Sequence, residues 1–319
     1  MSGLKKMNKS IPFDVNETHC PVCGSCQIKH FSNAKHKEVK LSYDICKNCG
    51  IIFMNPHPTE EWYDIFYKQY YRSFYSDPIS PTPDEKVKQR KRARTLLQFL
   101  KKDIYGERYH LDIGCSTGEF SQALKSEYPI SRSVGVEPDQ TYRQSAESLG
   151  IKCYDNLSSV SNDKQSFTLI SMNHVLEHIL KPSQFLSNLK KDLLERGGLV
   201  YIEVPNYAGL FGSFEIAHPI VFTEESLENT LKLAGFKIIE CKSHGNPKSN
   251  NNNSKYYTSV LITPQKNKLQ VMTPRYVTRI WAFKLASWKN STLENNLVFL
   301  LKFPIRLLRH FGFPKHTIG

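Results

Sequence analysis

The run at residues 111–120, Leu-Asp-Ile-Gly-Cys-Ser-Thr-Gly-Glu-Phe, constrains this chain more than any other segment of its length. Apolar Leu111 and Ile113 flank Asp112, and the chain then breaks into Gly114-Cys115-Ser116-Thr117-Gly118 before a helix-like stretch, Glu119–Tyr128. A strand, a glycine turn and a helix start bring backbone N–H groups and a helix N-terminus against a bound ligand. Some way downstream, Val134-Gly135-Val136-Glu137 is a second apolar strand ending in an acid. A carboxylate about twenty residues past such a turn accepts hydrogen bonds from the hydroxyls of a ribose. The pair predicts a nucleoside-type cofactor site; a tight turn with no ligand is the alternative.

The spacing selects among such cofactors. A dinucleotide fingerprint reads G-x-G-x-x-G and holds a pyrophosphate. Here the glycines are Gly114 and Gly118, and Asp112 would repel a pyrophosphate but suits the ammonium group of an amino-acid moiety. In these residues the chain resembles the class I S-adenosylmethionine-dependent methyltransferases, whose first motif is commonly L-D-I-G-C-G-T-G. Ser116 stands at the middle glycine of that motif, a substitution expected to be tolerated if its φ stays negative. The resemblance runs from about Lys86 to Pro264. It implies S-adenosylmethionine as cofactor, with Asp112, Gly114, Cys115, Gly118, Glu137 and Asn173 at the site. Asp155 and Asn156, after the third strand, are expected near the adenine amino group.

The strand candidates alternate with helices. Ile151–Asn156 and Phe167–Met172 are the third and fourth strands, and Asn173–Ile179 follows as a helix. Gly197-Gly198 reads as a helix stop before a fifth strand through Asn206. Phe222–Leu227 opens a helix with a hydroxyl cap and early acids, which Ala234-Gly235 ends. Phe236–Cys241 and Tyr256–Thr263 make a final hairpin across an Asn-rich loop. The expected fold is α/β: a doubly wound, Rossmann-like, seven-stranded methyltransferase sheet with a small N-terminal zinc ribbon and a helical C-terminal tail.

The zinc ribbon rests on Cys20-Pro-Val-Cys23-Gly and Cys46-Lys-Asn-Cys49-Gly, two knuckles separated by twenty-two residues. Four thiolates at this spacing can close a tetrahedral, structural Zn2+ site with no open position, Cys20, Cys23, Cys46 and Cys49 being the ligands. Disulfides are the competing reading; Met1–Lys9 is basic rather than apolar, so no secretory signal is expected and the thiols read as those of a reducing cytoplasm. Cys26 is a bystander, and Cys153 and Cys241 read as small buried hydrophobes. The expected division is 1–55 zinc ribbon, 56–84 connector, 85–264 methyltransferase domain and 265–319 tail. In the connector, the aromatic stretch Trp62–Tyr75 either covers the acceptor pocket as a lid or packs the zinc module onto the main domain.

Charge is uneven. The formal net charge is +13, and residues 265–319 hold ten Lys and Arg against a single acid, Glu294. Lys302, Arg306, Arg309 and His310 recur at helical spacing among leucines, so the tail reads as a basic amphipathic helix with a kink at Pro304. It either contacts an anionic membrane, placing the protein peripherally at the inner membrane surface, or docks on protein. No run approaches the length of a membrane span.

For catalysis, His174, Glu177 and His178 are expected at i, i+3 and i+4 on one helical face. His178 is the expected base, with Glu177 orienting it or capping the helix, and His218 is a second candidate at the pocket mouth; a packed core histidine is the alternative for His178. A similar acid-x-x-Glu-His run in ubiquinone-pathway O-methyltransferases is associated with a divalent cation, though His174 replaces the first acid here. Deoxysugar C-methyltransferases resemble the chain in their N-terminal four-cysteine zinc module, but carry a tyrosine where Val175 stands and a further large C-terminal domain. The whole arrangement looks most like bacterial methyltransferases of surface-polysaccharide and deoxysugar clusters. The expected acceptor is a sugar hydroxyl or carbon on a nucleotide or lipid, with a phosphate to meet the basic tail. The alternatives are an RNA methyltransferase, for which Ser171-Met-Asn-His174 is not the usual amino-group motif, and a cofactor-binding but inactive partner protein.

Overall fold

A computed structural model describes residues 11–75, 80–100, 106–162, 166–207, 214–245 and 257–265. The expectations for the basic tail, the Asn-rich loop and the basic N-terminal segment lie outside the described residues. Three strands come first: β1 (Ile28–His36), β2 (Val39–Cys46) and β3 (Ile52–Met54). Helix α1 (Glu60–Ile65) runs through a π-helical turn, Phe66–Tyr70, into α2 (Tyr71–Tyr75). Helix α3 (Pro83–Leu100) leads to the alternating part: β4 (Arg108–Ile113), α4 (Glu119–Glu127), β5 (Ile130–Val136), α5 (Gln140–Glu147), β6 (Lys152–Tyr154), α6 (Leu157–Asn162) and β7 (Phe167–Asn173). After a 3-10 turn (Leu176–His178) come α7 (Pro182–Asp192), β8 (Leu194–Pro205), β9 (Ile220–Val221), α8 (Glu224–Leu233), β10 (Phe236–His244) and β11 (Tyr257–Pro264).

The main sheet has seven strands in the order β10-β11-β8-β7-β4-β5-β6. Strands β4 to β8 pair in parallel, while β11 is antiparallel to both β8 and β10. This is the doubly wound sheet expected from the alternation, and its reversal beside β4 opens a crevice at the strand C-termini. Helix α8 begins as its residues dictate. The Thr223 hydroxyl accepts the Ser226 N–H while the Ser226 hydroxyl accepts the Thr223 N–H, a capping box worth about 1 kcal/mol.

Two local expectations fail. Gly197-Gly198 is no helix stop: α7 ends at Asp192, and both glycines lie inside β8. There the register with β7 slips between Leu194 and Leu199, and Gly197 takes φ +79°, so the pair serves a strand irregularity. The segment after β7 is not an α-helix either. His174 takes φ +56°, which turns the chain sharply, and only the 3-10 turn follows.

The N-terminal strands form a second sheet, β1-β2-β3-β9, whose last strand comes from the far side of the alternating domain. Ile52 pairs with Val221 and Phe53 with Ile220. Cys20, Cys46, Cys49, Ile51 and Phe53 accordingly join one buried cluster with Ile202, Phe222 and Leu227 of the main sheet and α8. A separate cluster, including Tyr43, Tyr63, Phe66, Phe74 and Ile216, seats the connector helices on the N-terminal sheet. Among the described residues no helix is long and apolar enough to cross a membrane.

Candidate active site

The turn after β4 is closed by its own backbone. Gly114 and Cys115 N–H both donate to the Val136 carbonyl, at 2.8 and 3.0 Å. Gly114 takes φ +73°, and a Cβ there would collide with the Val175 side chain at 2.6 Å, so the position requires glycine on both counts. Gly118 caps α4 at φ +82°. Ser116 also adopts positive φ, +51°, against the expectation of a negative one. Two contacts hold it there: its N–H donates to Glu137 Oε2 at 3.0 Å, and its hydroxyl accepts from Gln89 of α3 at 3.4 Å. Arg90 of α3 grips Glu119 at the start of α4 through two bonds, 2.9 and 3.1 Å.

Glu137 stands just past β5, its Oε1 accepting from the Asp139 N–H at 3.1 Å and from Arg72 at 3.5 Å. Burial pushes its pKa up, opposed by Arg72 and the two backbone donors. Arg72 belongs to α2, and its guanidinium lies 3.6 Å over the Tyr142 ring. Asp112 is buried, with Ser171 donating to Oδ1 at 2.6 Å and Ser121 to Oδ2 at 2.8 Å. Its burial raises the pKa to about 6. Asp112 thus ties β7 and α4 together from the crevice wall, and one lone pair per oxygen remains. Asp155 is exposed and accepts from Asn156, whose carbonyl oxygen in turn accepts the Ser159 N–H in α6. Asn173, at the end of β7, has both amide atoms shielded and without a hydrogen-bond partner.

These residues share one cavity of about 1000 Å³. The Gly114–Ser116 turn, Glu137, Asp155, Asn156 and Asn173 line it. Tyr63, Tyr67, Tyr71, Phe185, Gln184 and Asn188 line it as well. Of the two alternatives for the aromatic connector, the packing is present, since its rings seat on the N-terminal sheet; Tyr63, Tyr67 and Tyr71 also line the cavity. The carboxylate at Glu137 and the partnerless Asn173 amide, both lining the cavity, fit an adenosyl-type cofactor with its ribose at Glu137.

His174 and His178 line the same cavity. His174 Nε2 lies 3.0 Å from Glu203 and its Nδ1 3.3 Å from Glu177, so both ring nitrogens face carboxylates. Glu203, fully buried in β8, also contacts Arg92 of α3 and lies 3.6 Å from His244. Neither Glu203 nor Arg92 was assigned a role from sequence, although an acid inside the apolar run Val200–Val204 is itself a signal. His178 lines the cavity, its Nδ1–H donating to the Ala217 carbonyl at 2.6 Å. Burial lowers its pKa to about 4. His218 is not at the mouth: it is buried behind His178, ring centroids 5.1 Å apart, because β9 draws residues 215–221 against the N-terminal sheet. Donor atoms of Glu177, His178 and His218 lie within 4.8 Å of one another.

The four cysteines converge as the knuckles require. Cys20 and Cys49 Sγ are 3.6 Å apart, as are those of Cys23 and Cys46. A tetrahedron with zinc–sulfur bonds of about 2.3 Å has edges of about 3.8 Å. Val22 and Cys23 N–H groups point at Cys20 Sγ, at 3.4 and 3.5 Å, and all eight cysteines are free. The donor set fits a structural zinc ion.

Part of the chain is similar to known proteins. Residues 84–241 match the family described as a methyltransferase domain. A malonyl-[acyl-carrier protein] O-methyltransferase of Paenibacillus sp. (strain JDR-2) is 28% identical over 155 residues, 41% of this chain and 56% of that protein. A carboxy-S-adenosyl-L-methionine synthase of Campylobacter hominis is 28% identical over 163 residues, 41% of this chain and 70% of that protein. The chain thus spans little more than half the length of the first relative. An S-adenosylmethionine-dependent methyltransferase of Clostridium acetobutylicum aligns at 14% identity and TM-score 0.42, covering 64% of this chain and 98% of that one.

Proposed function

We propose that residues 84–241, which match a methyltransferase domain, form a class I S-adenosylmethionine-dependent methyltransferase, and that the protein methylates a hydroxyl or carbon of a sugar carried on a nucleotide or lipid. The observation that carries this reading is the mixed lining of the cavity, where Tyr63, Tyr67 and Tyr71 occur together with Gln184, Asn188 and Asp64. Aromatic rings with planar polar groups suit a polyhydroxylated ring: the aromatic surface covers its C–H bonds, and the amides and acid meet its hydroxyls. Lys68 and Lys181 line the same cavity and would meet a phosphate on the acceptor.

When bound, S-adenosylmethionine would supply a sulfonium-activated methyl group for in-line displacement. The chain's part is orientation and proton removal. Glu137 takes the ribose, Gly114 gives close backbone approach, and Asn173 meets the cofactor or acceptor at the boundary. His178 is the base. Its Nδ1–H is committed to Ala217, so Nε2 keeps its lone pair, and the lowered pKa keeps the ring neutral at pH 7. Glu177 stands ready to stabilise the proton His178 gains. His174, bridged between two acids, has no nitrogen left for this task. A structural zinc on the four cysteines holds the N-terminal module.

Incubation with methyl-labelled S-adenosylmethionine and a cell extract split into nucleotide-sugar, lipid, RNA and protein fractions tests the reading. Label in the sugar or lipid fraction supports it. Label in RNA or protein alone overturns the acceptor class. Tight S-adenosylhomocysteine binding with no label anywhere would favour an inactive partner protein.

A further inference from the structure

Five consecutive backbone carbonyls, Glu215 to Pro219, are each met by the N-terminal half of the chain. The Tyr43 hydroxyl of β2 lies 3.1 Å from the carbonyls of both Glu215 and His218. Tyr63 of α1 donates to Ile216 at 3.1 Å, and Tyr67 of the π-helical turn donates to Ala217 at 2.8 Å. The Met54 N–H donates to Pro219 at 2.7 Å. These contacts span 150 or more positions in sequence, and four are made by the phenols of Tyr43, Tyr63 and Tyr67, which apolar packing alone would not require.

The central carbonyl has a second donor. Ala217 also accepts His178 Nδ1–H, at 2.6 Å. A carbonyl can only accept, so this bond fixes which ring nitrogen carries the proton. Tyr67 and His178 thus share one acceptor, and the Tyr67 ring stands edge-on to the imidazole, centroids 5.2 Å apart. Burial keeps the Tyr67 phenol pKa well above 10, so it remains a donor across the working range. The π-helical turn presents Tyr67 and Tyr71 together to the same ring, Tyr71 at 5.9 Å. Single π-turns of this kind recur where a helix must aim side chains at a site.

We infer that Tyr67 is a positioning residue that, through the Ala217 carbonyl, holds His178 in its Nδ1-protonated tautomer with Nε2 turned to the acceptor. The connector between the zinc module and the catalytic domain thereby sets the competence of the base. This inference rests on the proposed role of His178, but its test does not depend on that role.

The test is nitrogen-15 NMR of histidine-labelled protein at pH 7, with the His178 signal assigned by its loss in H178Q. The wild type should show His178 as the Nδ1-protonated tautomer. In Y67F, which keeps the ring and removes only the hydroxyl, the Ala217 carbonyl is no longer pinned and turns away from Nδ1, so the tautomer ratio should fall by roughly three- to tenfold, the equivalent of losing the neutral His178–Ala217 hydrogen bond. Y63F, which frees the neighbouring carbonyl but no histidine partner, should leave the ratio unchanged. An unaltered ratio and unaltered ring shifts in Y67F overturn the inference. Should Y67F not fold, 3-fluorotyrosine at residue 67 strengthens the same donor, and an unmoved His178 Nδ1 signal overturns it equally. In the acceptor fraction that takes label, Y67F should slow transfer about tenfold at saturating S-adenosylmethionine, with S-adenosylhomocysteine affinity within about twofold. Full transfer by H178A would refute the base assignment while leaving the tautomer result intact.

Discussion

Replacement of Glu137 by Gln tests the cofactor site at one atom's resolution. The carboxylate accepts the Ser116 N–H on one oxygen and the Asp139 N–H on the other. Glutamine offers one oxygen, so one N–H must face an NH2 group and lose its acceptor. That costs about 1–3 kcal/mol of stability, or on the order of 2–4 °C in Tm per kcal/mol. The ribose hydroxyls lose a charged acceptor, worth about 1.5–3 kcal/mol, which weakens cofactor binding roughly 10- to 150-fold. Calorimetric titration with S-adenosylhomocysteine at pH 7.5 separates this from the stability loss measured by thermal melting. Affinity within about twofold of wild type, in a variant of lowered Tm, would refute the ribose assignment while leaving the turn-closing role intact.

Further perturbations address other parts of the molecule. The folded state holds His110 at a pKa of about 3 and His178 at about 4, both through burial, below the usual 6.5. At these two groups the unfolded chain binds more protons than the folded one below pH 6.5; Asp112, raised to about 6, opposes this with a single group, so stability is lost on balance as pH falls from 6.5 toward 4. Denaturant midpoints at pH 7 and 5 should show this, and equal midpoints would sink it. C46S should lose about one zinc per chain. Because Cys46 sits in the same buried cluster as Phe222 and Leu227, the loss should lower the main melting transition rather than release a separate one; an unchanged transition in the zinc-free protein contradicts this. S116G should raise stability by about 0.5–1 kcal/mol, since glycine adopts φ +51° freely, and leave cofactor affinity intact. A lower midpoint would mean that the Ser116 hydroxyl contact with Gln89 outweighs the backbone cost.

What the sequence makes legible is local. The strand, turn and helix around Gly114 and Gly118, the acid at Glu137 and the Cys knuckles each carry their meaning within a few residues, and all can be read before folding. The failures are of two kinds. Gly197-Gly198 and His174 sit where a strand irregularity or a positive φ replaces the periodic element suggested by their neighbours. The remainder is tertiary. The links of Tyr63 and Tyr67 to residues 216 and 217, the convergence of Arg92, His174 and His244 on Glu203, and the withdrawal of His218 behind His178 all depend on which strand lies beside which. A two-residue strand such as Ile220-Val221 has no period to announce it.

The pairing of Phe53 with Ile220 also sets an order of events at the ribosome. The knuckles and the first three strands are made early, but the strand that completes their sheet follows 167 residues behind Phe53. At about 5–20 residues per second, the N-terminal module waits roughly 8–35 s with an open edge. In that interval a metal bound by the four thiolates would be the main force keeping the module compact, so zinc supply during synthesis should influence the yield of native protein as well as its final stability.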